Sequence, residues 1–90
     1  MNDRQILSSY FRSSSDFADY FGDKYRMESK ISRSQQEGSS AWKDEDSSRS
    51  LQFYPYEDGL WIQAYRQGDR FHFKPSSLAQ LESALDAFLL

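Results

Sequence analysis

Ninety residues with no cysteine and a net charge of -3 bound the chain at one small domain, residues 1–90, near the size where a single hydrophobic core just suffices. The missing thiols exclude disulfide scaffolds, thiolate zinc sites and cysteine nucleophiles together, and an acidic balance gives no global drive toward nucleic acid. No apolar run approaches the ~18 residues that span a bilayer, and Met1-Asn2-Asp3-Arg4 leads into no secretory signal, so the expectation is a cytoplasmic protein without membrane contact.

Asp3 to Phe11 reads as a first short helix, capped by Asn2 or Asp3, with Ile6, Leu7, Tyr10 and Phe11 on one stripe. Ser13-Ser14-Ser15 interrupts it, because serine hydroxyls compete for backbone groups. A second helical segment follows from Asp16 to Phe21, with Phe17, Tyr20 and Phe21 on its apolar side. Gly22 suits the left-handed residue that would end it. Over residues 25–31 the period changes to two. Tyr25, Met27 and Ile31 fall on one side and Arg26, Glu28 and Lys30 on the other, as in an outer strand whose charges discourage edge-to-edge pairing.

Residues 32–50 hold seven serines, Gly38 and one large apolar side chain, Trp42. They read as a serine-rich flexible loop, shortened if a strand forms around Ala41-Trp42-Lys43. Trp42 either tucks onto the domain, gaining about 2–3 kcal/mol from burial, or waits as an anchor for a partner.

Three strands follow, over 51–56, 60–66 and 69–74. Asp58-Gly59 and Gln67-Gly68 both read as two-residue hairpin turns with glycine supplying a positive φ. Centring the first turn there pairs Phe53 with Ala64 and Pro55 with Ile62. Centring the second pairs Ala64 with Phe71, Ile62 with Phe73 and Trp61 with Lys74. Both hairpins then agree on an inner face of Leu51, Phe53, Leu60, Ile62, Ala64, Phe71 and Phe73. Pro75 stops the last strand, and Ser77 with Gln80 forms a capping box for a helix over 77–89. Its Leu78, Leu81, Leu85 and Phe88 stripe has the inner sheet face as its partner. The expected fold is therefore α+β: N-terminal short helices, an antiparallel sheet of three to four strands, and a C-terminal helix on one sheet face.

Catalytic and metal-binding chemistry is poorly supplied. A lone His72 cannot build a multi-histidine metal site, and no nucleophile or orienting acid is marked for it. No glycine loop cradles phosphate, and Asp44-Glu45-Asp46 lacks the spacing of a calcium loop. Caps and breaks account for the sixteen serines. No enzyme activity, cofactor or metal site is expected.

The outward sheet face is the remaining candidate. Tyr54, Tyr56, Trp61 and Tyr65 stand there beside Arg70, His72 and Lys74, with Trp42 as a separate anchor. Cross-strand cation–aromatic pairs also stabilise a sheet by about 0.5–1 kcal/mol each, which alone would explain the rings. As a site, this composition favours a protein partner, as an adaptor, regulator or small inhibitor uses one, with self-association through the same surface. The alternative is single-stranded nucleic acid, its bases stacked on the rings and its phosphates on Arg70, Lys74 and Arg66. Over 51–90, hairpins followed by a helix resemble a single-strand-binding coactivator fold, a resemblance that implies this alternative but comes without that family's basic surplus.

Overall fold

The computed structural model describes residues 2–30, 39–46 and 48–90. In chain order the elements are α1 (Asp3–Ser13), α2 (Asp16–Lys24), β1 (Glu28–Lys30), β2 (Ser40–Lys43), β3 (Arg49–Tyr56), β4 (Gly59–Arg66), β5 (Asp69–Phe73) and α3 (Leu78–Leu89). The five strands form one antiparallel meander in sequence order. The fold is α+β as expected, with one strand more than the three to four anticipated. The extra strand is β2, built from the alternation at Ala41-Trp42-Lys43, so the stretch read as a loop from 32 to 50 contributes a sheet member. The rest of that reading, residues 32–38 and Ser47, lies outside the described residues.

Local chemistry explains the helix ends. The Asn2 side chain accepts from the Gln5 N–H at 2.9 Å, and Gln5 Oε1 accepts from the Asn2 N–H at 2.9 Å, a reciprocal cap that starts α1. Extended backbone at Ser14 ends α1 and separates it from α2. α2 runs three residues past Phe21, so Gly22 lies inside the helix rather than ending it. Arg26 takes the left-handed position instead, at φ 57. The Met27 N–H donates to Gly22 O at 2.9 Å and the Arg26 N–H to Asp23 O at 3.1 Å, the paired bonds that close a helix end. That turn occupies 25–27, which is why β1 begins only at Glu28. Ile31 falls outside the described residues.

Strand register matches expectation at one hairpin and departs by two residues at the other. β4 and β5 pair Ala64 with Phe71 and Ile62 with Phe73, as read from the sequence. Gln67 at φ 49 and Gly68 at φ 94 give both central residues the positive φ of a primed turn. The β3–β4 turn is centred instead on Glu57-Asp58, so Leu51 pairs with Ala64 and Phe53 with Ile62. Gly59 occupies the fourth turn position, where an unprimed type I turn favours glycine. A shift of two preserves the side-chain period, so both faces keep their assigned residues.

All three helices cover the inner face. Phe11 of α1 stacks on Phe53 with ring centroids 5.1 Å apart, Phe21 of α2 lies 5.8 Å from the same ring, and Phe88 of α3 stacks on Phe71 at 5.2 Å. Leu51, Phe53, Leu60, Ile62, Ala64, Leu81 and Leu85 are fully buried, each large side chain contributing about 1.5–3 kcal/mol. Arg49 ties the periphery together. Its guanidinium donates to Asp44 Oδ2 at 3.0 Å, to Leu89 O at 3.1 Å and to Tyr25 O at 2.8 Å, joining β3 to the ends of α2 and α3.

Candidate functional site

With all three helices on one side, no element among the described residues covers the sheet's other face. Register places its side chains in three rows running across the strands. Glu28, Lys43, Ser50, Tyr65 and Arg70 form the first, and Lys30, Ala41, Gln52, Gln63 and His72 the second. Tyr54 and Trp61 open the third, completed by Lys74, whose Nζ lies 5.3 Å from the Trp61 ring centroid. Tyr56 stands at the turn end beyond them. Seven of the eight sequence candidates thus share one surface: Tyr54, Tyr56, Trp61, Tyr65, Arg70, His72 and Lys74.

Trp42 is the exception. It faces inward in β2 and is buried, its ring packed on the Gly22 backbone so closely that a Cβ there would meet Trp42 Cε3 at 2.3 Å. It belongs to the core and is withdrawn as an exposed anchor.

The rings of the open face are held in place by neighbours. Tyr54 donates its hydroxyl to Gln52 Oε1 at 2.7 Å and stacks on Tyr56 with centroids 6.4 Å apart. Partial burial pushes the Tyr54 phenol up, helped by Tyr56. Tyr56 and Trp61 are 43% and 41% exposed, respectively, high for such large rings. Lys74 reaches past Trp61 to Asp58, with N···O 2.8 Å, and this hydrogen bond holds the Asp58 carboxyl below its usual range. At the edge, Lys30 pairs with Glu28 at 3.7 Å. Lys43 and Arg70 have no ion-pair partner among the described residues, and they flank Ser50 and Tyr65 in the first row.

Two contributors escaped the sequence reading. Lys43 and Lys30 reach the face only because β2 joins β1 to the rest of the sheet. The three-residue alternation at 41–43 was the available signal, and the surrounding serines and charges masked it. Among the described residues no group of His, Asp and Glu could hold a metal ion, and no helix is long and apolar enough to cross a membrane. No protein family, curated protein or solved structure matches the chain.

Proposed function

We propose that this chain is a non-enzymatic protein-binding module, an adaptor, regulator or small inhibitor that meets its partner with the open sheet face. The observation that carries the reading is the exposure of Tyr56 and Trp61 on a face left bare by all three helices. Tyr, Trp and Arg are the residues on which binding energy concentrates, especially when they are held rigid before contact. Here hydrogen bonding, ring stacking and the Lys74 ammonium restrain Tyr54, Tyr56 and Trp61. The partner offers apolar side chains to the Tyr54/Tyr56/Trp61 end and carboxylates to Lys43 and Arg70, neither of which has an ion-pair partner among the described residues.

Single-stranded nucleic acid fits this arrangement less well. Base stacking needs bare ring faces with cations alongside for phosphate. Lys74 already lies over Trp61, and Asp58 neutralises it. The unpaired Arg70 sits beside Tyr65, about 13 Å along β4 from Trp61 at the usual strand rise.

The test is capture from a lysate of the native cell by wild type and by the Tyr56→Ala/Trp61→Ala double variant, matched for melting temperature. A partner retained by wild type, released by the double variant and weakened by Arg70→Glu supports the reading. Equal capture by both proteins overturns it. Salt-sensitive binding of a labelled oligonucleotide, lost in the double variant, replaces it with the nucleic-acid alternative. A concentration-dependent dimer that the double variant abolishes makes the partner a second copy.

A further inference from the structure

On the opposite side of the molecule lies a second apolar surface. Leu7 and Phe11 of α1, and Ala18 and Phe21 of α2, turn toward the sheet and are buried. Ile6, Tyr10 and Tyr20 therefore overhang the crease between the helices, where they are 37%, 51% and 52% exposed, and Leu78 at the start of α3 joins them at 43%. Two pockets of about 400 and 220 Å³ lie in this crease and adjoin along it, with Phe17 and Leu78 as common walls. Tyr10 stacks on Phe17 at 5.6 Å, stiffening the wall between them.

The charged side chains lining the groove are acidic, beside Ser76 and Ser77, and Arg4 reaches its rim at Ser76. Asp3 lines one pocket, and Asp16 and Glu82 the other. Glu82 is partly answered by the Tyr20 hydroxyl at 2.9 Å and Lys24 at 3.4 Å. Asp3 and Asp16 have no ion-pair partner among the described residues. Both sit in the first turn of a helix, where the helix end contributes only about half a positive charge against each full negative one.

We propose that this groove docks a segment of a partner protein that presents at least two apolar side chains flanked by lysine or arginine. Half-exposed walls suit side chains offered from another protein's surface, whereas a small-molecule site encloses most of its ligand. Two adjoining pockets ask for two anchors. The carboxylates choose the flanking charge: basic flanks are attracted and acidic ones repelled. No residue is shared with the sheet face, whose unpaired charges are of opposite sign, so the proposal stands independently of that reading.

The experiment is an amide chemical-shift titration of the full chain with a short synthetic amphipathic peptide of leucine and lysine, against the same peptide with glutamate for lysine. The Leu/Lys peptide is expected to shift Ile6, Tyr10, Phe17 and Leu78 and to bind at least about tenfold more tightly than its acidic counterpart. Leu78→Asp, and separately Asp3→Asn with Asp16→Asn, are expected to weaken it by about tenfold with the chain still folded, the second pair at some cost in melting temperature because two helix N-termini each lose a carboxylate. Shifts centred on Trp61 and Tyr65, equal affinity for the two peptides, or unchanged affinity in both variants would overturn the proposal. Shifts at the groove that grow with protein concentration alone would overturn it in favour of a second copy.

Discussion

The Lys74 ammonium lies 5.3 Å from the centroid of the Trp61 ring and is held there from its other side by Asp58 at 2.8 Å. The pair joins β4 to the residue just past β5 and covers part of the largest ring on the open face. Exposed cation–aromatic and ion pairs are each worth up to about 1 kcal/mol. Lys74→Ala should therefore destabilise by no more than about 1–2 kcal/mol while uncovering Trp61. Acrylamide quenching reads the second effect directly, because Trp42 is buried and contributes little. Quenching that stays at the wild-type level would show that Lys74 does not shield the ring.

Gly22 presents a case where two effects of opposite sign compete. Replacing an internal helical glycine with alanine ordinarily gains about 0.8–1 kcal/mol of helix propensity. Here the new Cβ would enter the Trp42 ring, at 2.3–2.7 Å from three of its atoms. Overpacking a filled core costs about 1–3 kcal/mol, and a rigid indole between α2 and β2 has little room to yield. Gly22→Ala is expected to lower the melting temperature and change the near-ultraviolet dichroism of Trp42. A stabilised variant would show that the ring shifts freely.

Phe53 and Tyr56 lie three residues apart on one strand, on opposite faces. Phe53 is fully buried beneath Phe11 and Phe21, so Phe53→Ala should cost about 3–5 kcal/mol. That is most of the stability available to a domain this small. Tyr56→Ala, at an exposed ring, should cost under about 1 kcal/mol. Urea denaturation of the two variants checks the face assignment, and similar midpoints would contradict it.

Arg49 reaches three acceptors that no single-headed cation reaches together. Arg49→Lys keeps the charge but loses the fork, and should cost about 2–4 kcal/mol through the stranded carbonyls of Tyr25 and Leu89. Acid response tests the same cluster. Partial burial pushes the Asp44 carboxyl up, but bonds from the Arg49 side chain and backbone and from Ser48 outweigh it and hold it at about 2. Since the folded value is depressed, this stabilisation is complete above the unfolded value of about 3.9 and is lost as pH falls toward about 2. Asp58 and Asp86, both lowered by hydrogen bonds, from Lys74 and from Tyr25 respectively, contribute with the same sign. Asp44→Asn should flatten the acid limb of the stability curve, and an unchanged limb would assign it to other carboxylates.

What could be read beforehand follows the strength of local signals. Gln67-Gly68 demands positive φ at two successive residues, which few sequences satisfy, and the β4–β5 register followed from it to the residue. Gly59 carries a weaker instruction, because glycine serves both inside a primed turn and at the end of an unprimed one. The slip of two residues came from that ambiguity, and strand alternation absorbed it without exchanging the faces. β2 was obscured because its inward contact, Trp42 on Gly22, joins residues twenty apart, and no local pattern announces such a contact. Arg26 in the left-handed position was likewise unmarked, since the nearby Gly22 advertised the same role. The outer-face candidates were legible as a set, apart from the basic residues that β1 and β2 bring to it. The groove was not, because Ile6, Tyr10, Tyr20 and Leu78 looked like ordinary core stripes until the helices were seen to crowd one another.

Placing every helix on one side of the meander divides β3 and β4 between two masters, residue by residue. Leu51, Phe53, Leu60 and Ile62 answer to neighbours inside the molecule and must change together or not at all. Gln52, Tyr54, Trp61 and Gln63, interleaved with them, answer mainly to what lies outside. A lineage carrying this architecture can rewrite every second codon of its central strands, and so alter the chemistry of a whole face, while inheriting the scaffold intact.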